Sequence, residues 1–349
     1  MRRLIDACSR WSAAGLLLAA LVLSPVSRAT VFTLPADGGS LVGQDSSVQA
    51  KASDTLLGIA RRYSVGYWEI QEANPHVDMW LPGRGTTVVI PGRLIVPPVA
   101  HVGIIVNLPQ HRLFYFPKRR RHDQPIVITY PVSPGEKGWA TPVGHTRIIR
   151  KVPHPVWIPT PSILKAHEQE GDPIPRIYPA GPDNPMGEWA LETTLSGGEI
   201  YIHGTNNPMA VGMAVTHGCV RLYPEDIAAL FPIVPVGTPV NIVNVPVLAT
   251  LESGKLWLEV HPPMDSDHTP VGPDYAQISR IIDQAIGKSV VAIDWAKVRK
   301  VATLSNGIPE MVGVQAGYTA PPPVGTQTQM TKSRLSGSRR AAPAVAGTT

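Results

Sequence analysis

Cysteine is almost missing from this sequence: of 349 residues two are Cys, Cys8 and Cys219. Two thiols cannot staple a small secreted scaffold, so an ordinary apolar core has to hold the chain together. Net basic charge is also missing where a nucleic-acid partner would need it. The formal charge is +5, but four arginines and one aspartate precede residue 30, and Lys332, Arg334, Arg339 and Arg340 lie in the last 34 residues. Residues 30–315 therefore carry a charge near −2, without interleaved basic and aromatic residues, which excludes a nucleic-acid face. The apolar run Ala13 to Leu23 is too short to span a bilayer. No further Cys, His or carboxylate stands close enough in sequence to complete a zinc set around Cys219.

The ends of the chain read by composition. Arg2, Arg3 and Arg10 precede the Ala13–Leu23 run, and Ser27-Arg28-Ala29 offers a small-x-small cleavage site. Residues 1–29 are thus expected to be a secretory signal, with a retained anchor as the alternative. Cys8 leaves with the signal, so the mature chain has one thiol and no internal disulfide. Residues 316–349, rich in Ala, Pro, Thr, Ser and Gly, are expected to be a disordered tail.

The one remaining thiol sits in IHGTNNPMAVGMAVTHGCVRL, residues 202–222. His203 and His217 precede Cys219, Gly218 adjoins it and Arg221 follows. A lone cysteine is commonly a small buried hydrophobe. Two imidazoles and a glycine are poor company for that role and good company for a nucleophile. At the reference pKa only about 3% of a free thiol is ionised at neutral pH, so a neighbouring base matters.

These residues resemble the signature of the YkuD-type L,D-transpeptidases, cysteine enzymes of peptidoglycan metabolism: His-Gly-Thr, a spacer, then Ser-x-Gly-Cys-x-Arg. The resemblance implies that Cys219 is the nucleophile and His203 the base. His217 fills a variable position and is auxiliary, and Thr216 stands where Ser is usual, keeping the hydroxyl. Thr205 belongs to the same substrate-binding stretch. The amides around Gly218 and Cys219 are expected to hold an oxyanion. Arg221 either binds a stem carboxylate or ties down the loop. The segment Tyr178 to Leu191 and the T-P-x-G of Thr141 to Gly144 also match the family and are expected to shape the groove, with Trp139, Trp157 and Tyr178 as rim candidates.

Upstream, Asp54-Thr55-Leu56, Ile59-Ala60, Tyr63, Ala73-Asn74-Pro75 and Val88-x-Ile90-Pro91 resemble a LysM module, a small α+β domain that binds the N-acetylglucosamine of peptidoglycan or chitin. Ser53 or Asp54 is expected to cap its first helix, Trp68 to Ala73 to form the second, and Thr86 to Ile90 a strand. Trp68 and Trp80 either stack on sugar rings or fill the core.

The layout expected is a signal at 1–29, the LysM module at 46–97, the catalytic domain at 101–246, an α/β appendage at 247–315 and the tail. Residues 30–45 read as a polar lead-in. The catalytic domain is expected to be mainly β, a YkuD-like antiparallel sandwich or barrel-like sheet. Its strands are Gly103–Asn107, Arg112–Phe116, Ile126–Tyr130, His145–Lys151, Glu188–Leu191, Glu199–His203 and Val240–Val245, and its helix is Pro224–Phe231. In the appendage, Lys255–His261 reads as a strand and Tyr275–Ile286 as a helix. Val290–Val301 reads as a further strand and helix.

The resemblance further implies the reaction. Cys219 attacks the amide between the diamino acid and terminal D-alanine of a tetrapeptide stem, D-alanine leaves, and an amine resolves the acyl-enzyme. The implied partners are peptidoglycan glycan and peptide stems, in the periplasm, with no cofactor and no metal. The module arrangement is similar to members that use a lysine of an outer-membrane lipoprotein as acceptor. A diaminopimelate amine, giving a 3-3 cross-link, or water remains equally compatible. A wall-binding protein with an inert catalytic-like domain is the reading of a different class.

Overall fold

A computed structural model describes residues 30–35, 39–120, 123–262, 272 and 274–319, and those up to Ala316 form one unit. The expected signal and most of the expected tail lie outside the described residues.

The chain begins with β1 (Thr30–Thr33), β2 (Leu41–Val42) and β3 (Ser46–Gln49). Helix α1 (Leu56–Arg62) is capped by Thr55, whose hydroxyl accepts from the Gly58 amide at 2.9 Å. The cap is therefore neither Ser53 nor Asp54. Asp54 instead accepts from the Lys51 amide and pairs with Arg62, closing the turn ahead of the helix. Helix α2 (Tyr67–Ala73) starts at Gly66, whose amide donates to the Glu69 carboxylate at 2.6 Å. Asn74 ends it, and its side chain both donates to and accepts from the backbone of Val89 in β4 (Thr87–Ile90). β3 and β4 pair antiparallel, making a β-α-α-β unit around Leu56, Ile59, Ile70 and Val88. β5 (Leu94–Ile95) returns to pair with β2.

The second part holds β6 (Gly103–Asn107), β7 (Arg112–Phe116), β8 (Ile126–Pro131) and β9 (Gly144–Pro153), then α3 (Pro161–Glu170). After it come β10 (Trp189–Thr193), β11 (Tyr201–His203), β12 (Val220–Arg221), α4 (Pro224–Ile233) and β13 (Pro239–Val243). These strands, with β1, form one sheet in the order β1-β8-β7-β6-β13-β9-β10-β11-β12. The expected sandwich takes the form of two halves joined through β9. That strand pairs with β13 through Gly144–Arg147 and with β10 from Ile148 onward, so the sheet turns a corner there. Ile104 and Leu113 from one half and Leu191 and Ile202 from the other share a single core with α4, which is how the curl buries both inner faces. The expectation of antiparallel pairing fails twice: β13 runs parallel to β6 and β12 parallel to β11. Each pair is joined by a long connection that returns the chain in the same direction, the first carrying most of the domain and the second the loop of the signature. The polar lead-in is also more than a linker, because β1 is the sheet's edge strand, paired with β8.

The remaining residues add β14 (Val247–Glu252), β15 (Lys255–Val260), α5 (Tyr275–Ile286), β16 (Val291–Ile293), α6 (Trp295–Leu304) and β17 (Glu310–Gln315). A four-stranded sheet of order β14-β15-β17-β16 packs against α5 and α6 around its own core. One fully buried carboxylate fastens this layer to the rest. Glu259 accepts from the Gln110 amide at 2.6 Å, the Ile95 amide at 2.7 Å and His261 Nε2 at 2.7 Å.

Candidate active site

Strand alternation builds the site. In β11 and β12, Ile202 pairs with Val220 and His203 with Arg221, and both Ile202 and Val220 enter the core. The period of two then turns Tyr201, His203, Cys219 and Arg221 to the other face. All four line one cleft of about 940 Å³. Its opposite wall comes from residues 154–188, the excursion between β9 and β10 that carries α3. Buried Asn184 pins that excursion: its Nδ2 donates to the carbonyls of Pro155, Tyr178 and Pro179, and its Oδ1 accepts from the Met186 amide. Thr141 does the same for the facing loop, its hydroxyl accepting from the Gly135 amide at 2.8 Å. Trp139, Trp157 and Tyr178 all reach the cleft, the last two with ring centroids 5.1 Å apart.

The loop around the thiol is closed by Thr216. Its hydroxyl donates to the Cys219 carbonyl at 2.6 Å and accepts from the Gly218 amide at 3.3 Å. Gly218 has φ +104°, where a Cβ would be strained and would also meet Ile200 Cδ1 at 3.2 Å. The Gly218 amide is thus engaged within the turn. Among the described residues nothing accepts from the Cys219 amide, which leaves that one as the free donor of the pair expected for an oxyanion. The thiol accepts from the Tyr201 amide at 3.4 Å and donates to the Glu199 carbonyl at 3.7 Å.

His203 is buried, and its Nδ1 lies 2.7 Å from the Gly204 carbonyl. A carbonyl only accepts, so Nδ1 of the neutral ring carries the hydrogen and Nε2 the lone pair. Burial, with help from the Arg221 charge, pushes the ring down to about 3, against the Gly204 and Met186 carbonyls that favour the protonated form. Burial pushes the Cys219 thiol up, opposed by the Tyr201 amide and Arg221. The residue is half-buried and opens on the cleft, so water there tempers the rise. The resting pair is neutral thiol and neutral imidazole, with no hydrogen bond joining them in this state. Arg221 carries no ion pair among the described residues and its buried Nε has no partner, an unneutralised charge beside the thiol.

Other expected residues fall elsewhere. His217 lines the cleft but faces Trp139 at 4.8 Å and His167 at 5.4 Å between centroids, and burial followed by the His167 and Arg221 charges lowers its pKa. Thr205 is buried, its hydroxyl accepts from the Asn207 amide, and it borders a separate cavity of about 290 Å³. Trp68 and Trp80 lie on the β-α-α-β unit, 43% and 60% exposed, so they are not its core. His167 was not anticipated. It sits on α3, whose Thr160 cap, first-turn Pro161 and left-handed Gly171 are legible boundary signals in a stretch for which no element is expected from the sequence.

The family model for the YkuD L,D-transpeptidase catalytic domain matches residues 101–242. The chain is 42% identical over 245 residues to the probable L,D-transpeptidase YbiS of Escherichia coli strain K12, covering 69% of this chain and 78% of that protein. It is 36% identical over 304 residues to the probable L,D-transpeptidase ErfK/SrfK of Salmonella typhimurium strain LT2, covering 85% and 95%. Among solved structures, the NMR structure of the catalytic domain from the E. faecium L,D-transpeptidase aligns over 42% of this chain and 100% of that one. The identity there is 20% and the TM-score 0.31, too loose a likeness to carry weight. Match of the family model over the domain that bears Cys219, and identity to full-length relatives, lead to one conclusion: the chain belongs to the YkuD-type L,D-transpeptidase family.

Proposed function

We propose that the protein is an exported, periplasmic peptidoglycan L,D-transpeptidase with Cys219 as nucleophile and His203 as base. The observation that carries this is the shared orientation of Cys219, His203 and Arg221 on one face of the β11–β12 pair, opening on a single cleft. In the acylation step the thiol proton passes to His203 Nε2, and Sγ bonds to the carbonyl carbon between the diamino acid and the terminal D-alanine. The oxyanion accepts from the Cys219 amide, and the Gly204 and Met186 carbonyls favour the imidazolium that forms. Collapse breaks the C–N bond, the imidazolium proton goes to the leaving nitrogen, and D-alanine departs. An amine then attacks the thioester, His203 takes its proton, and the thiol is restored. Arg221 supplies positive charge beside the thiolate and for a substrate carboxylate.

The β-α-α-β unit is read as a LysM module, with exposed Trp68 and Trp80 as platforms for sugar rings. The acceptor is an amine, either a lipoprotein lysine or the diaminopimelate of a second stem. The test is incubation with purified tetrapeptide muropeptides, with and without a lysine-ended peptide, read by mass spectrometry. A lysine adduct or a 3-3 dimer with loss of D-alanine supports transfer, and hydrolysis alone would make the protein a carboxypeptidase. Turnover by a Cys219→Ala variant would overturn the assignment.

A further inference from the structure

The β-α-α-β unit is not hung on a tether. Its turn between α1 and α2, Ser64 to Tyr67, is seated on the chain on both sides of the Cys219 loop. Ahead of the nucleophile, the Tyr67 amide donates to the Val211 carbonyl at 2.9 Å. Gly212 has φ +93°, and a Cβ on it would come within 2.2 Å of Tyr67 N and 2.6 Å of Gly66 Cα, so the two backbones touch where only glycine fits. Behind the nucleophile, the Tyr223 hydroxyl donates to the Val65 carbonyl at 3.0 Å, and Ser64 Oγ donates to the buried Asp226 carboxylate at 3.1 Å. Arg61 forks onto Glu225 at 2.6 and 2.8 Å. Below, Arg112 of β7, 3% exposed, binds Glu69 of α2 through two nitrogens and the Ser64 carbonyl through a third contact.

The contact does not stop at the surface of the loop. The Gly212 amide donates to Ser133 Oγ at 3.2 Å, and that hydroxyl donates to the Ala210 carbonyl. The Ser133 backbone is paired in both directions with Arg221, two residues after the thiol. Hydrogen bonds linked through adjacent residues therefore join the α1–α2 turn to β12, the strand that begins directly after Cys219.

We propose that the helical module braces the catalytic loop, with the Tyr67 amide and Arg61 as positioning residues for Cys219. The proposal rests on the reading of Cys219 as nucleophile, and it assigns the module a role at the active site besides any binding of glycan. Its test separates the two. Tyr67 is the first residue of α2, where proline is favoured, and Gly66 before it is extended at φ −82°, ψ 169°, as a residue before proline requires. Tyr67→Pro thus deletes the single N–H that holds Val211 and leaves the helix able to form. Tyr67→Ala keeps the N–H and removes the ring.

Alkylation of Cys219 by iodoacetamide, which needs no transpeptidase activity, is measured beside turnover of a soluble tetrapeptide and the melting temperature. The expected result is alkylation and turnover slowed roughly tenfold or more in Tyr67→Pro relative to Tyr67→Ala, with kcat falling and KM unchanged. Equal rates in the two variants overturn the proposal, even if the wild type shows no turnover and the transpeptidase reading has failed separately. If Tyr67→Pro does not fold, the ion pair decides. Arg61→Glu should slow alkylation and adding Glu225→Arg should restore it, whereas an unchanged single variant or an unrestored pair overturns the brace.

Discussion

Cys219 and His203 are both held uncharged by the burial that shapes their cleft, and the Arg221 charge favours thiolate at one and neutral ring at the other. Iodoacetamide alkylation should therefore have a midpoint above that of a free thiol, and Arg221→Met should move it higher still. An unmoved midpoint would mean that the guanidinium is remote from the thiol. His203→Gln should cost roughly 10²–10⁴ in rate and His217→Gln much less, since the latter ring is turned to Trp139 and His167. The buried imidazole also links stability to pH. Its folded pKa of about 3 lies below its ordinary 6.5, so between these values the unfolded chain binds a proton that the folded chain does not. Stability rises with pH to about 6.5 and is lost as pH falls towards 3, by an amount on the order of 4 kcal/mol. Urea midpoints at pH 4 and pH 7 should differ less in His203→Gln than in the wild type. At this scale the sequence was most informative: the residue types and spacing of the signature name the thiol and both imidazoles. Which amide stays free for an oxyanion was not legible, because that depends on where the Thr216 hydroxyl turns.

The elements that hold these residues are strands with strong local signals and loops with weak ones. Apolar runs such as Gly103–Asn107 and Arg112–Phe116 are readable because every residue in them is buried, and their bounds match the sequence reading. The two-residue strands β2, β5 and β12 carry no periodicity of their own and exist through their partners. Helix α3 was missed because its moderate amphipathicity is surrounded by proline and glycine turns, although its caps are written in Thr160 and Gly171. The thiol loop has little freedom at Gly218. Gly218→Ala should cost about 1–3 kcal/mol and most of the activity, since φ +104° and the 3.2 Å approach to Ile200 both oppose a methyl group. Gly237→Ala is the control: φ is +86°, nothing lies within 4 Å of the added Cβ, and the residue does not line the cleft, so the backbone strain is similar and the active site is untouched. Similar losses of activity in both would detach the effect from the thiol loop.

Across the whole molecule, the sequence reading separated modules that the structure joins. The N-terminal unit docks through buried Arg112 and Glu69, the sheet borrows β1 from ahead of that unit, and Glu259 ties the last layer to Ile95 and Gln110. None of this was legible, because contacts between residues 43 or 164 positions apart leave no local pattern. Removing residues 30–97 should consequently destabilise the catalytic sheet, by uncovering β8 and stranding Arg112, where a tethered module would detach cleanly. A truncated protein with an unchanged melting temperature would show that these contacts contribute little. The central claim, that Cys219 forms a covalent acyl-enzyme with a peptidoglycan stem, is tested most directly by intact mass after mixing with a tetrapeptide muropeptide in the absence of acceptor. The expected result is one adduct equal to the stem less D-alanine, mapped to Cys219 and missing in Cys219→Ala. Release of D-alanine by Cys219→Ala, or an adduct on another residue, would contradict it.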